Sequence, residues 1–434
     1  MLKHFLCIAS FVFLINATAQ DTTHNSHINT PLIYTSDTAQ QKISGRKNSA
    51  EQISKPYVIL ISADGFRADF TELYEAKKLA ALSAQGVRGK YMIPSYPSVT
   101  FPNHYSIATG LYPSHHGLVD NSYIDVSTGS FYNMGNKKMV AEGKWYGGNP
   151  LWVLAEKQKM ISASFYWVAS EADIQGIRPT YYYIYNEKID IATRIKAVKD
   201  WLSLPEADRP HLITFYFPDV DHDAHNFGPD DLRVKKSVQF VDSSINALQE
   251  SLASLHLPIN YIFVSDHGMA KVDNENTKPL PSSIDTAYFT IPWGDTQLHL
   301  YAKDKTKIES TYNALKKDTS ITVYKLDETP AYWHHKTTDD RYNRLGDIII
   351  TPHFPKVFNL SPRKTSLGKH GFDNHMTEMR ASFMAWGPAF KKGLTIDGFE
   401  NVNVYPLVAH ILGLTIDEKN IDGKLEVLKP ILKK

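Results

Sequence analysis

The sequence predicts an α/β fold, a mostly parallel central sheet flanked by helices, and two observations predict it. First, short apolar runs without alternation recur along the chain: "YVILISAD", "HLITFYFPDVD", "NYIFVSD", "DIIITP" and "ASFMAWGP". Unalternating β-branched runs read as strands buried on both faces, which a parallel sheet requires. Second, amphipathic stretches separate them. "TELYEAKKLAALSAQG" stops at Gly86 as at a C-cap, and "PDDLRVKKSVQFVDSSINALQESLASL" opens on Pro229 with acidic residues in its first turn. Strands alternating with helices give an α/β layer architecture. The chain has 434 residues and is 42% hydrophobic, ample for a large core. A net charge of +1 excludes a strong pull toward a nucleic-acid duplex or an acidic surface.

Taken in order, residues 1–19 read as a signal peptide. Lys3 and His4 precede an apolar run from Phe5 to Ile15 that is too short to span a bilayer, and Ala17 and Ala19 form a small-x-small cleavage pattern. Cys7, the only cysteine, would leave with it, so the exported protein has no disulfide. That suits a bacterial periplasm or secretion from a bacterial envelope. Residues 20–53 are polar and aperiodic, and are expected to be a disordered tether. Residues 54–434 form the folded domain, within which 298–352 reads as a small α+β elaboration on the main sheet. No later apolar run is long enough to cross a membrane, and oligomeric state is not encoded in any visible pattern.

Ligands of such sheets bind just beyond the carboxyl ends of the strands, and Asp64, Asp221 and Asp266 all fall at such ends. "PDVDHDAHNFGP" crowds Asp219, Asp221, His222, Asp223 and His225 into one short stretch, with Asp221 and His225 four apart. "SDHGM" supplies adjacent Asp266 and His267, and "KHGFDNHMTEM" supplies His370. Each cluster alone is an ordinary polar strand end. Together they offer carboxylates and imidazoles from separate segments, a donor set suited to borderline-soft divalent ions, zinc best, rather than calcium. His104, His115 and His116 are expected to shape the turn after Thr100, and His334 and His335 to lie on the surface. In "YPSVTFPNHYSIATG", prolines stand on both sides of the Thr100 hydroxyl, which needs activation from elsewhere to act as a nucleophile.

Joined in order, "DGFRADF", "PSYPSVTFPNHYSIATGLYPSHHGLVDN", "FYWVASEADIQGIRPTYY", "PDVDHDAHNFGP", "SDHGM" and "HGFDN" resemble the nucleotide pyrophosphatase/phosphodiesterase (type I phosphodiesterase) family of the alkaline phosphatase superfamily. The resemblance covers most of residues 55–415, and the Thr100 block is its most specific part. It implies an alkaline-phosphatase-like catalytic domain over 54–434 with two zinc ions per chain. Thr100 matches the nucleophile. Asp64, Asp266 and His267 match the ligands of the zinc that also holds the threonine oxygen. Asp221, His225 and His370 match those of the second zinc. Asn121 matches the donor to a phosphate oxygen, aided by the backbone amide after Thr100. Phe101 and Tyr182 match aromatic positions that stack on a substrate base. The family's glycine before the second histidine is Ala224 here, and His222 and Asp223 are unusual additions. They leave Asp219 beside Asp221 as a candidate ligand, with the four-residue spacing to His225 favouring Asp221.

The implied reaction is hydrolysis of a phosphodiester or pyrophosphate bond of a small nucleotide through a threonyl-phosphate, releasing a nucleoside 5′-monophosphate. Charge supports a diester: three carboxylates, two dications and an alkoxide sum to zero, and no arginine stands beside Thr100 to help a dianionic monoester. A sulfatase is excluded, since "TFPNH" lacks its Cys or Ser followed by x-Pro-x-Arg. A phosphomonoesterase, a choline- or glycerol-type phosphodiesterase acting on lysophospholipids, and a non-catalytic metal-stabilised binding protein remain as alternatives. The intact threonine speaks against the last.

Overall fold

The computed structural model describes residues 38–433, so the leader read at 1–19 and the tether before residue 38 lie outside the described residues. In chain order the strands of the two larger sheets are β1 (Gln41–Lys42), β2 (Tyr57–Ala63), β3 (Val87–Gly89), β4 (Ser162–Phe165), β5 (Tyr181–Tyr183), β6 (Leu212–Phe217), β7 (Ile259–Val264), β8 (Phe289–Thr290), β9 (Leu298–Ala302), β10 (Ile321–Lys325), β11 (Ile348–Pro352), β12 (Phe383–Trp386) and β13 (Leu394–Ile396). The helices that frame them are α1 (Lys77–Ala84), α2 (Thr100–Thr109), α3 (Ile191–Leu202), α4 (Asp219–Phe227), α5 (Leu232–Ala253) and α6 (Val404–Leu412).

A nine-stranded sheet runs in the order β1-β5-β4-β6-β2-β7-β12-β3-β13. Its centre, β5-β4-β6-β2-β7, is parallel throughout, with antiparallel pairing entering at β1, at β7–β12 and at β12–β3. Alternate residues of the central strands feed two cores. Val58, Leu60, Ile262 and Val264 pack on one face with Tyr105 and Ile107 of α2 and Val408 and Leu412 of α6. Ile59, Ile61, Phe215 and Phe263 pack on the other with Leu79 of α1, Val198 of α3, and Val238 and Ile245 of α5. Both faces are covered, which is why these strands lack a polar alternation. Among the described residues, no helix is long and apolar enough to cross a membrane.

Three expectations differ from the structure. The tether's last part is folded. Gln41 and Lys42 pair antiparallel with Tyr182 and Tyr181, and Ala50–Ile53 form a helical turn capped by Ser49. Asn48 anchors it, donating to the Glu206 and Arg209 carbonyls and accepting the Ile161 amide at 2.7 Å. The polar composition there serves an edge strand and a cap, not disorder. The helix read from Thr71 is broken: Phe70–Leu73 form one turn, Glu75 takes φ 56°, and α1 restarts with its Lys78 and Leu79 amides on the Asp242 carboxylate. Gly86 is there for close approach, since a Cβ would lie 2.1 Å from the Ala385 carbonyl of β12.

The third difference concerns the α+β elaboration. It forms its own four-stranded antiparallel sheet, β8-β9-β11-β10, with a separate core around Leu298, Leu300, Val323 and Ile350. Two of its histidines are buried. His335 is fully buried rather than at the surface, and His299 is 5% exposed with neither ring nitrogen hydrogen-bonded. Burial, with His335 adding, pushes His299 down to about 3 from 6.5. The unfolded chain therefore binds a proton that the folded chain refuses, and stability present above pH 6.5 is lost as pH falls toward 3. His299→Leu is expected to remove this share of the acid sensitivity. Between about pH 6 and 4 the variant should gain up to about 1.4 kcal/mol per pH unit relative to the wild type, read from urea midpoints. Parallel profiles for the two proteins would refute it.

Candidate active site

Three neighbouring parallel strands, β6, β2 and β7, end side by side. Their ends deliver Asp64 directly after β2, α4 after β6, and Asp266 with His267 after β7. Gly65, at φ +64°, lets α4 come close: a Cβ there would sit 2.9 Å from the Asp221 Cα. Asp221 and His225 lie one turn apart on α4, with Asp221 Oδ1 3.4 Å from His225 Nε2. His370 arrives from the distant 368–373 segment, its Nε2 3.5 Å from Asp221 Oδ1 and its ring stacked 3.6 Å from that of His267. His267 Nε2 lies 2.9 Å from Asp266 Oδ2 and 3.5 Å from Asp64 Oδ1. Thr100 is the first residue of α2, and its Oγ1 is 3.2 Å from His267 Nε2. Pro102 occupies the first turn, where a missing N–H breaks no intrahelical bond. Val99 caps the helix without a side-chain hydrogen bond, and the Asn121 side chain takes up the Phe101 amide of the first turn.

The structure thus brings together Asp64, Thr100, Asp221, His225, Asp266, His267 and His370. Asp219, the other candidate carboxylate, begins α4 and feels the buried Arg194 instead. Ala224 is buried with its carbonyl against Gly368, and the small side chain is accommodated.

The residues fit divalent cations. His225, His267 and His370 each direct Nδ1 to a backbone carbonyl, Gly368 at 2.8 Å, Gly268 at 2.9 Å and Ser98 at 3.0 Å. A carbonyl only accepts, so Nδ1 carries the proton and Nε2 a lone pair, the usual arrangement behind a metal-bound imidazole. The Nε2 atoms of His225 and His370 face each other at 3.0 Å, two lone pairs that repel unless a cation lies between them. Asp64 Oδ1 and Asp266 Oδ2 are buried without a hydrogen-bond donor. Burial and the Asp266 charge push Asp64 up to about 7, and burial with Asp64 and Asp266 drives Asp221 far above the carboxylate range. Burial also opposes ionised Asp266; positive charge beside it, such as protonated His267 and His104 would carry, outweighs that and holds the carboxyl low. Three carboxylates packed this closely are unfavourable together as anions without added positive charge.

Some site residues carry no clear sequence signal. His104 sits near Asp64 and Asp266, yet it is not a free ligand. Its Nδ1 reaches the Thr100 carbonyl at 3.0 Å and its Nε2 the Ser62 hydroxyl at 2.8 Å. Rather than shaping the turn after Thr100, it braces the helix start; its spacing four after Thr100 was the available clue. Tyr216 donates to Asp64 Oδ2 at 2.6 Å from inside β6, and an apolar strand hides such a residue.

An open cleft leads away from the site, bounded by Thr100, Phe101, Tyr166, Trp167, Tyr185 and Glu187 among others. Tyr182 is a correction: it lies in β5 between Gln41 and Ser164 and is not among the cleft-lining residues. Tyr185 takes the place expected of it, held by its hydroxyl on Glu187 at 2.7 Å and its amide on Glu171 at 2.6 Å. Strand pairing of 181–183 removes the nearer tyrosines, and the cleft is reached only after the strand ends. The Phe101 amide, expected to face a phosphate, instead donates to Asn121 Oδ1 at 3.1 Å.

The type I phosphodiesterase/nucleotide pyrophosphatase family model matches residues 58–373. Ectonucleotide pyrophosphatase/phosphodiesterase family member 1 of Rattus norvegicus is 35% identical over 376 residues, 84% of this chain and 41% of the relative. Venom phosphodiesterase of Naja atra is 31% identical over 383 residues, 86% of this chain and 46% of the relative. The chain therefore spans less than half the length of these two. An uncharacterised pyrophosphatase/phosphodiesterase of Schizosaccharomyces pombe is 33% identical over 397 residues, 87% of this chain and 81% of the relative. Murine ectonucleotide pyrophosphatase/phosphodiesterase 5, solved as an inactive threonine-to-alanine variant with AMP, superposes with a TM-score of 0.81 at 26% identity, covering 87% of this chain and 100% of that one. With a motif order, a fold and a family match that coincide over most of its length, the chain belongs to the type I phosphodiesterase/nucleotide pyrophosphatase family.

Proposed function

We propose that the protein is an exported phosphodiesterase/nucleotide pyrophosphatase that releases nucleoside 5′-monophosphates from nucleotides. The observation that carries the reading is a lone hydroxyl, Thr100 Oγ1, at a helix N-terminus between a cluster of six acid and imidazole side chains and an aromatic cleft. Asp64, Asp266 and His267 with Thr100 would hold one divalent cation, and Asp221, His225 and His370 a second, zinc best by donor type. Bound there, the ions supply positive charge that acidifies the threonine hydroxyl and stabilises the leaving oxygen.

The remaining work falls to the chain. Thr100 Oγ1 attacks phosphorus as the bond to the leaving oxygen breaks, giving a threonyl-phosphate ester; water then cleaves that ester and restores the hydroxyl. The Asn121 carboxamide, its oxygen already holding the Phe101 amide, offers its NH₂ as a donor to a non-bridging oxygen. Phe101 and Tyr185 offer ring faces to a base. That a murine relative with a threonine replaced by alanine is inactive and is seen with AMP supports this reading. Export rests on the leader pattern at 1–19 and on relatives named as ecto- and venom enzymes.

A second reading keeps the chemistry and changes the substrate. Rings together with the Glu171 and Glu187 carboxylates in the same cleft also suit a quaternary ammonium, as in a choline diester. Thymidine 5′-monophosphate p-nitrophenyl ester, bis-p-nitrophenyl phosphate, p-nitrophenyl phosphate and glycerophosphocholine, compared on zinc-loaded protein, test both. Preferential turnover of the nucleotide ester supports the first reading. Phosphocholine release as the fastest reaction would replace it.

The cleft assignment makes its own prediction. Tyr185→Ala is expected to raise KM for the nucleotide ester about tenfold, in keeping with about 1–3 kcal/mol per stacked base, and to spare bis-p-nitrophenyl phosphate. Tyr182→Ala should stay within about twofold on both. The reverse pattern would restore Tyr182 to the base site.

A further inference from the structure

A line of hydrogen bonds runs from beside the nucleophile to the segment that leads into the small antiparallel sheet. Asn121 Oδ1 accepts the Phe101 amide at 3.1 Å, which fixes the carboxamide's orientation and leaves its NH₂ as the donor end. The preceding residue, Asp120, accepts the Asn121 amide through Oδ1 at 2.6 Å and Gln297 Nε2 through Oδ2 at 2.9 Å. Gln297 is 3% exposed and stands just ahead of β9. Its neighbour Thr296, equally buried, presses on the other half of the site: a Cβ on Gly371 would lie 2.4 Å from Thr296 Oγ1. Two residues of the segment leading into the small sheet therefore back both the turn that carries Asn121 and the turn after His370.

We infer that Gln297 is a positioning residue: through Asp120 it holds the Asn121 carboxamide where a non-bridging phosphate oxygen gains charge. The physical reason is the short tether of Asp120. Its carboxylate is shared between the Asn121 amide on one oxygen and Gln297 on the other. Without Gln297, Oδ2 loses its donor and the carboxyl turns to find another, loosening the bond that fixes the Asn121 backbone. A donor aimed at developing charge works only while its position holds. The small sheet, which contributes no side chain to the cluster itself, then has a part in the reaction.

This inference rests on the phosphodiesterase reading, and the test separates the two. Gln297→Met keeps the shape and also removes a buried Oε1 that has no hydrogen-bond partner, so the variant should fold. On bis-p-nitrophenyl phosphate, Q297M is expected to lower kcat about tenfold with KM within about twofold. In an Asn121→Ala background, adding Q297M should cost less than about twofold more, because the group it positions is gone. A crystal structure of Q297M should show the Asn121 side chain released from the Phe101 amide. Multiplicative losses in the double variant, a change confined to KM, or an Asn121 that stays in place would overturn the inference. If the wild type cleaves no phosphodiester, the functional reading fails, while the crystal structure still decides the positioning.

Discussion

Thr100→Ala is expected to lower kcat on a phosphodiester by at least about three decades while leaving the fold and the bound cations in place. The size follows from the loss of the covalent step: without Oγ1 there is no threonyl ester, and direct attack by water gains only the charge and donors around the phosphate. The mildness toward the fold follows from position. Thr100 is the first residue of α2, its hydroxyl lies within hydrogen-bond range of His267, and the helix is anchored by Asn103, whose side chain ties to the Pro97 and Val99 carbonyls at 2.8 and 2.9 Å. Single-turnover trapping of labelled phosphate on the wild type, absent from the variant, is the direct measurement. Near-normal turnover by Thr100→Ala would remove the threonyl ester from the reaction.

The second large effect is expected at Asp221. Its oxygen lies 3.4 Å from His225 Nε2 and 3.5 Å from His370 Nε2, so it joins the two imidazoles of one proposed cation. Asp221→Asn should leave about one divalent ion per chain instead of two, measured by elemental analysis after gel filtration, and should lower kcat by a similar three decades or more. The same substitution should have the opposite effect on the metal-free protein. Burial and the Asp64 and Asp266 charges make ionised Asp221 unfavourable. In chelator at pH 8, Asp221→Asn is expected to melt above the chelated wild type, because one buried negative charge is gone. With zinc the order should reverse. A variant that keeps two ions and a tenth of the rate would show that Asp221 is not a ligand.

The two sides of this behaviour share one cause. A site that concentrates carboxylates to hold cations is unstable without them, and the chain tolerates it because both faces of the sheet behind it are densely packed. Removing the ions therefore tests the site and the fold together.

Much of this was legible in the chain. Asp64, Asp266 and His267 could be placed because each follows an unbroken apolar run, and a buried parallel strand leaves its next residue at the sheet's rim. The pairing of Asp221 with His225 was legible because four residues is one helical turn. Gly86 and Tyr182 were misread for the same reason in two forms: a glycine that ends a helix resembles one that lets a strand pass, and adjacent tyrosines resemble one another until strand pairing separates them. Residues 38–53 read as a tether because an edge strand of two residues and a four-residue turn leave no periodicity to detect.

Local pattern by itself determined the α/β class, the strand-end acids and the four-residue spacing of Asp221 and His225, since period, capping and strand length act over a few residues. Only the tertiary structure decided which acids meet, that His370 completes the cluster from far along the chain, that Tyr185 rather than Tyr182 faces the cleft, and that Gln297, from the segment entering a separate sheet, stands behind Asn121. Those outcomes depend on the order in which strands pair and on which backbones can approach closely. Both are set by burial over the whole domain and leave no mark at any single position.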